Sequence, residues 1–225
     1  IEGPDQFWPL VRMAEKKGYA VENLLLPGHG GDGKAFAKSG RKAWESYVKQ
    51  RLELLRSKYP QILFVGHSMG TLLELEAAVE NPQGIRRAYF MAMPLRIQLT
   101  WRGIRTGLKV ALNKVDKEDL TAVAAQKAYS IKQSMSPRYF TWIPRYLELF
   151  SMIRKARKQI SQFPGKMWIV TAEKDELVSP RSLAFLEGNQ NARIVRLPSS
   201  AHFYYRPEDF QTIKISFEQF LEGER

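Results

Sequence analysis

The sequence predicts an α/β fold, a mostly parallel sheet flanked by helices, with a helical segment inserted after a strand at residues 85–92. Three observations carry that prediction. Short apolar runs alternate with stretches of helical period over residues 7–92, and again over 166–221. One of those runs, Ile62-Leu63-Phe64-Val65, is continuously apolar, as a strand covered on both faces must be. Between the two regions, from Met93 to Pro164, runs of strand type disappear. The expected division is a core of residues 1–94 and 165–225 and a helical cap of residues 95–164.

Each element has a local reason. Residues 7–17 read as a helix because Leu10, Val11 and Ala14 share one face, and Gly18 stops it. Residues 19–26 read as a strand, ended by Pro27-Gly28-His29-Gly30-Gly31. A helix over 44–59 presents Trp44, Tyr47, Val48, Leu52 and Leu55, and Pro60 closes it. The strand at 62–65 leads to a helix over 71–80, closed by Asn81-Pro82, and to the strand at 85–92. In the inserted segment Ile97, Trp101, Ile104, Leu108 and Leu112 fall on one helical face, with Arg102, Arg105 and Lys109 beside it. Another helix spans 146–160, with cations crowding the C-terminal end that favours them. The alternating pattern resumes as a strand at 167–171, a helix at 180–186, a strand at 193–197 and a helix at 207–221.

Composition sets the outer bounds. The 225 residues, 44% hydrophobic and 26% charged, suit a globular chain. No window approaches the ~18–20 apolar residues of a membrane span. With no cysteine, disulfides and thiolate metal sites are excluded, and a reducing compartment, the cytoplasm, is expected. The net charge of +12 is uneven: residues 96–158 hold 14 of the 35 lysines and arginines but 4 of the 23 acidic residues. Such a patch is suited to an anionic substrate or an anionic membrane surface, or simply to solubility. No nucleic-acid motif accompanies it, so no nucleic-acid partner is expected.

Chemistry concentrates at Gly66-His67-Ser68-Met69-Gly70, a Gly-x-Ser-x-Gly pattern between an apolar run and a helix. A tight strand-to-helix turn holds such a serine in a strained backbone with its hydroxyl exposed, and flanking glycines are expected where a Cβ would collide. A serine needs a base, and the chain has three histidines. His67 adjoins the serine and must point away along the turn. His29, in Pro27-Gly28-His29-Gly30, suits a structural role in its own turn. His202 remains, just after the last strand, where parallel sheets place reactive groups. A carboxylate should orient that imidazole, and Glu173, Asp175 and Glu176 compete for the role.

Leu26-Pro27-Gly28-His29-Gly30, the Ser68 pentapeptide, the Asp175 loop with Val178, and Ala201-His202 together resemble the α/β-hydrolases, and more narrowly bacterial carboxylesterases and monoacylglycerol lipases. The resemblance implies an α/β-hydrolase fold and a chain order Ser, Asp, His, which selects Asp175 and gives a triad of Ser68, Asp175 and His202. It implies cleavage of carboxylic esters through an acyl-enzyme with no metal or organic cofactor. A lysophospholipase, an acyl-thioesterase and an idle binding module of the same fold are the alternatives. A haloalkane dehalogenase would need aspartate at position 68, whereas peroxidase-like and carbon–carbon bond hydrolases keep the serine. Thr71 departs from relatives that carry a further glycine. The resemblance also makes the backbone N–H groups of Met69 and Ile1 the oxyanion donors. It further implies an upstream strand, ending in His-Gly and lying in the middle of the sheet. Trp101, Leu108, Phe140, Trp142, Leu147 and Phe150 are the candidate substrate-binding residues of the cap, with Tyr139 and Met152 beside them.

Overall fold

In a computed structural model, residues 2–131 and 137–223 are described, without the side chains of 137–139. Four parallel strands form one sheet in sequential order: β1 (Ile62–His67), β2 (Ile85–Met91), β3 (Lys166–Ala172) and β4 (Ala192–Leu197). His67 pairs with Met91, Met91 with Val170 and Val170 with Val195, so the strands end together at their C-terminal side. Parallel strands require crossovers, and helices supply them on both faces.

On one face α3 (Arg41–Arg56), α4 (Met69–Glu80) and α7 (Ile143–Gln159) bury Trp44, Leu52, Leu72, Leu75, Met152 and Ile153 against Phe64, Ala88 and Phe90. On the other, α1 (Trp8–Lys16) and α8 (Pro207–Glu222) bury Leu10, Ile213, Phe217 and Phe220 against Tyr89, Trp168 and Val170. The double coverage explains why Ile62-Leu63-Phe64-Val65 of β1 reads as a continuous apolar run. Every helix read from the sequence in the core is present, within a few residues; the one over 180–186 is a 3-10 helix.

Two short helices escaped the sequence reading. α2 (Gly33–Lys38) is capped by Asp32, whose side chain accepts from Lys34 N and Ala35 N. α6 (Leu120–Ala128) is capped by Asp119, which accepts from Ala122 N. Both carry the aspartate N-cap signal that would have revealed them. Between β2 and β3 the described elements are helical: α5 (Trp101–Ala111), α6, a 3-10 helix (Pro137–Trp142), α7 and a second 3-10 turn (Ile160–Gln162).

Residues 19–26 do not form the expected strand. A strand exists by virtue of a ladder, and among the described residues this segment pairs with no neighbour. It lines one wall of a cavity of about 490 Å³, and the outer edge of β1 (Ile62, Leu63, Phe64, Val65, Gly66) lines another. Phe7, Leu10, Leu52 and Leu73 supply much of the rest, and the cavity reaches Ser68 and Met69. Among the described residues, no helix is long and apolar enough to cross a membrane.

Candidate active site

Ser68 sits at the turn from β1 into α4 with φ 51° and ψ −125°. That conformation is outside the regions a non-glycine residue normally occupies and costs about 1–3 kcal/mol. It persists because the turn is tied on both sides. Ser68 N donates to Met91 O at 2.9 Å. Ser68 O accepts from Thr71 N at 3.1 Å and from the Thr71 hydroxyl at 2.7 Å. The departure at position 71 thus adds a hydrogen bond that fastens the turn.

The steric argument for the flanking glycines holds on one side. A Cβ at Gly66 would lie 2.3 Å from Glu74 Oε2 and 3.1 Å from Thr71 N. At Gly70 a Cβ would meet nothing within 4 Å, so collision does not explain that glycine.

His202 lies in the loop after β4 and is 1% exposed. The loop is held by Asp209 in the first turn of α8, which accepts from Ser199 N at 2.8 Å and from the Ser200 hydroxyl at 2.7 Å. Ala201 N closes it by donating to Tyr204 O at 2.9 Å. The loop after β3 is bound to the same region: Glu173 N donates to Leu197 O and Lys174 N to Ser200 O. There His202 Nδ1 donates to Asp175 Oδ2 at 2.8 Å. The other oxygen, Oδ1, accepts from Leu177 N and Val178 N, which leaves Asp175 one orientation. Of its competitors, Glu176 is buried and accepts instead from the backbone N of His202 at 3.2 Å, while Glu173 is exposed.

Glu2 was not foreseen. Its Oε2 lies 2.5 Å from His67 Nδ1, and its Oε1 lies 3.6 Å from His202 Nε2. Gln6 Nε2 also donates to Oε2 at 3.2 Å, and Gly3 N donates to Ala128 O, which anchors the segment to the end of α6. His67 Nε2 donates to the His202 carbonyl at 3.2 Å, and the two rings are 4.9 Å apart. No single-residue sequence signal marks Glu2, although its place beside the proposed oxyanion donor Ile1 puts it near the serine.

Electrostatics follow from this enclosure. Burial disfavours a charged His202, yet the charges and hydrogen bonds of Asp175 and Glu2 outweigh it and push the imidazole up to about 10. Burial would likewise raise the Glu2 carboxyl, but His67 and His202 hold it well below the usual carboxylate range. His202 Nε2 makes no hydrogen bond among the described residues, so Ser68 and His202 are not joined. The atom faces the Glu2 carboxylate instead, as a charged ring should.

The remaining site residues are placed as follows. His29 is buried with Nδ1 3.4 Å from Pro27 O, packed edge-on to Phe36 and Trp44 in its own turn. Burial pushes it down to about 4. Met69 N is the first amide of α4, where no intrahelical acceptor exists. Ile1 and the Tyr139 side chain lie outside the described residues.

None of the six cap residues lines the cavity that reaches Ser68. Trp101 is 79% exposed and Phe140 75%, while Leu108, Leu147 and Phe150 are also exposed. Trp142 is buried, but against Phe36 and with Nε1 donating to Gly33 O at 3.0 Å. The cavity takes its walls from α1, α3, α4, β1 and residues 19–26. The basic patch is also partly spent within the fold: Lys109 pairs with Asp119, Arg145 with Glu148, Lys155 with Glu76 and Arg102 with Glu176.

No protein-family profile matches the chain, and no curated protein matches it in sequence. Solved structures do. One, described with LipS and LipT, two metagenome-derived lipolytic enzymes, is 16% identical at a TM-score of 0.74 and covers 99% of this chain and 91% of its own. The monoacylglycerol lipase of Paleococcus ferrophilus is 14% identical at 0.69, covering 98% and 90%. A variant of the meta-cleavage product hydrolase CumD, a protein of Pseudomonas fluorescens, is 18% identical at 0.67, covering 99% and 89%. At these identities the likeness carries architecture alone, and it extends over nearly the whole of each chain.

Proposed function

We propose that this chain, whose fold is that of the α/β-hydrolases, cleaves carboxylic esters through an acyl-enzyme on Ser68. The observation that carries the reading is the backbone of Ser68, strained at φ 51° on the turn between β1 and α4. Strain of that kind persists only where the surroundings enforce it, and it projects the hydroxyl out of the turn.

In the proposed cycle Ser68 attacks the ester carbonyl while His202 Nε2 takes its proton. Asp175 fixes the ring through Nδ1 and stabilises the imidazolium. The Met69 N–H, at the positive end of α4, stabilises the developing oxyanion, with the Ile1 N–H as second donor; one such donor is worth roughly 10²–10³ in turnover. His202 then protonates the leaving alcohol, and a water activated by the same ring releases the acid. The cycle requires Nε2 to turn from Glu2 toward Ser68.

Ser68→Ala should lower hydrolysis of p-nitrophenyl esters by at least about 10⁴-fold and abolish labelling by a fluorophosphonate, with an unchanged circular dichroism spectrum. Unchanged turnover in that variant would refute the assignment. A series of acyl lengths, run beside monoacylglycerols, lysophospholipids and acyl thioesters, reads out the substrate class.

A further inference from the structure

We infer that Glu2, His67 and His202 form a binding site for a divalent transition-metal ion such as zinc, and that its occupancy switches off the His202 base. One ligand atom from each residue converges: Glu2 Oε, His67 Nδ1 and His202 Nε2 all lie within 4.8 Å of one another. Two imidazoles and one carboxylate form a set that holds zinc with a fourth position open. The set is enclosed. The side chains of His67 and His202 are 2% and 1% exposed and that of Glu2 is 17% exposed.

An independent observation points to a ligand. Among the described residues His202 Nε2 is buried, has no hydrogen-bond partner and faces the Glu2 carboxylate at 3.6 Å. The outer contacts are also those of a metal site. Metal-binding histidines donate their second ring N–H to a carboxylate or a carbonyl, which fixes the ring and the tautomer. His202 donates Nδ1–H to Asp175, and His67 donates Nε2–H to the His202 carbonyl. Both rings therefore turn the remaining nitrogen toward the same carboxylate. Gln6 Nε2 holds Oε2 of that carboxylate in place.

Binding exchanges protons on the imidazoles for the metal, so affinity rises with pH. Nε2 has one lone pair, and an atom coordinating a metal cannot accept the Ser68 proton. The inhibitory consequence rests on the proposed ester hydrolysis; the binding does not.

The test separates them. Cobalt(II) is titrated into Ser68→Ala, which keeps all three ligands, and followed by its visible absorption and by calorimetry. The expected result is one ion per chain with an intense four-coordinate spectrum. Glu2→Gln and His202→Asn should each weaken binding by about tenfold or more. Zinc should inhibit ester hydrolysis by the unaltered protein over the same concentration range, reversibly with a chelator. Absence of saturable binding to Ser68→Ala, or binding indifferent to Glu2→Gln, overturns the site. Glu2→Gln alters a partly exposed side chain and so guards against a His202 variant that fails to fold. Binding as expected, with no ester hydrolysed in metal-free buffer, leaves the site standing and removes the hydrolase reading.

Discussion

At the scale of single residues, the site is governed by one serine, one imidazole and the carboxylates around it. Asp175 orients His202 and Glu2 opposes its deprotonation, so the ring is held charged well above neutral pH. A base must be neutral to work, so kcat/KM should rise with pH as His202 loses its proton. Glu2→Gln removes a carboxylate that favours the imidazolium and should move that rise to lower pH by about 1–3 units, checked by the pH profile of p-nitrophenyl ester hydrolysis. A profile unmoved in Glu2→Gln would separate Glu2 from the base. Ser68 and His202 were legible because each lies just beyond a strand, whereas position left Glu173, Asp175 and Glu176 in competition and only the resemblance selected Asp175. Glu2 was not, because its role is created across space by His67 and His202, and nothing in its neighbours along the chain announces that. Gly70 marks the converse, a residue the pattern requires but for which the structure supplies no steric reason.

At the scale of elements, α3, α4 and α7 are fastened by one carboxylate. Glu76 on α4 accepts two bonds from Arg41 Nη2 of α3, each 3.0 Å, and also pairs with Lys155 of α7. Burial would raise its carboxyl, but the two cations keep it lowered. Its contribution is therefore present above the ordinary carboxylate range and is lost as pH falls through the depressed value. Glu76→Ala strands both cations and should cost about 2 kcal/mol in urea denaturation at neutral pH, below the figure for a fully buried pair because Arg41 and Lys155 stay partly hydrated. The helices around this clasp were legible from their apolar faces. Residues 19–26 show the limit of such reading: their composition suits a strand, but pairing depends on a neighbour that local sequence does not contain.

At the scale of the whole molecule, two apolar layers sandwich a sheet, and a cavity of about 490 Å³ interrupts them. Glu74 borders that cavity with Oε2 buried and unpartnered, and burial pushes its carboxyl up to about 8 from an ordinary 4.5. Between those values the folded chain holds a proton that the unfolded chain has released, so global stability falls as pH rises. Glu74→Gln should abolish this fall. Its gain in stability should be small near pH 5 and reach about 1–3 kcal/mol near pH 9, measured by urea midpoints across pH. The same gain at both extremes would place the effect elsewhere. The overall α/β arrangement was legible because short apolar runs alternate with stretches of helical period, whereas the cavity depends on how separate segments fail to touch.

The position of β1 at the margin of the sheet has a further consequence. Its outer side carries main-chain donors and acceptors at the spacing of another strand, beside apolar walls. Those groups border the same cavity as residues 19–26, which offer them no ladder, so the apolar walls and not main-chain pairing hold that side of β1.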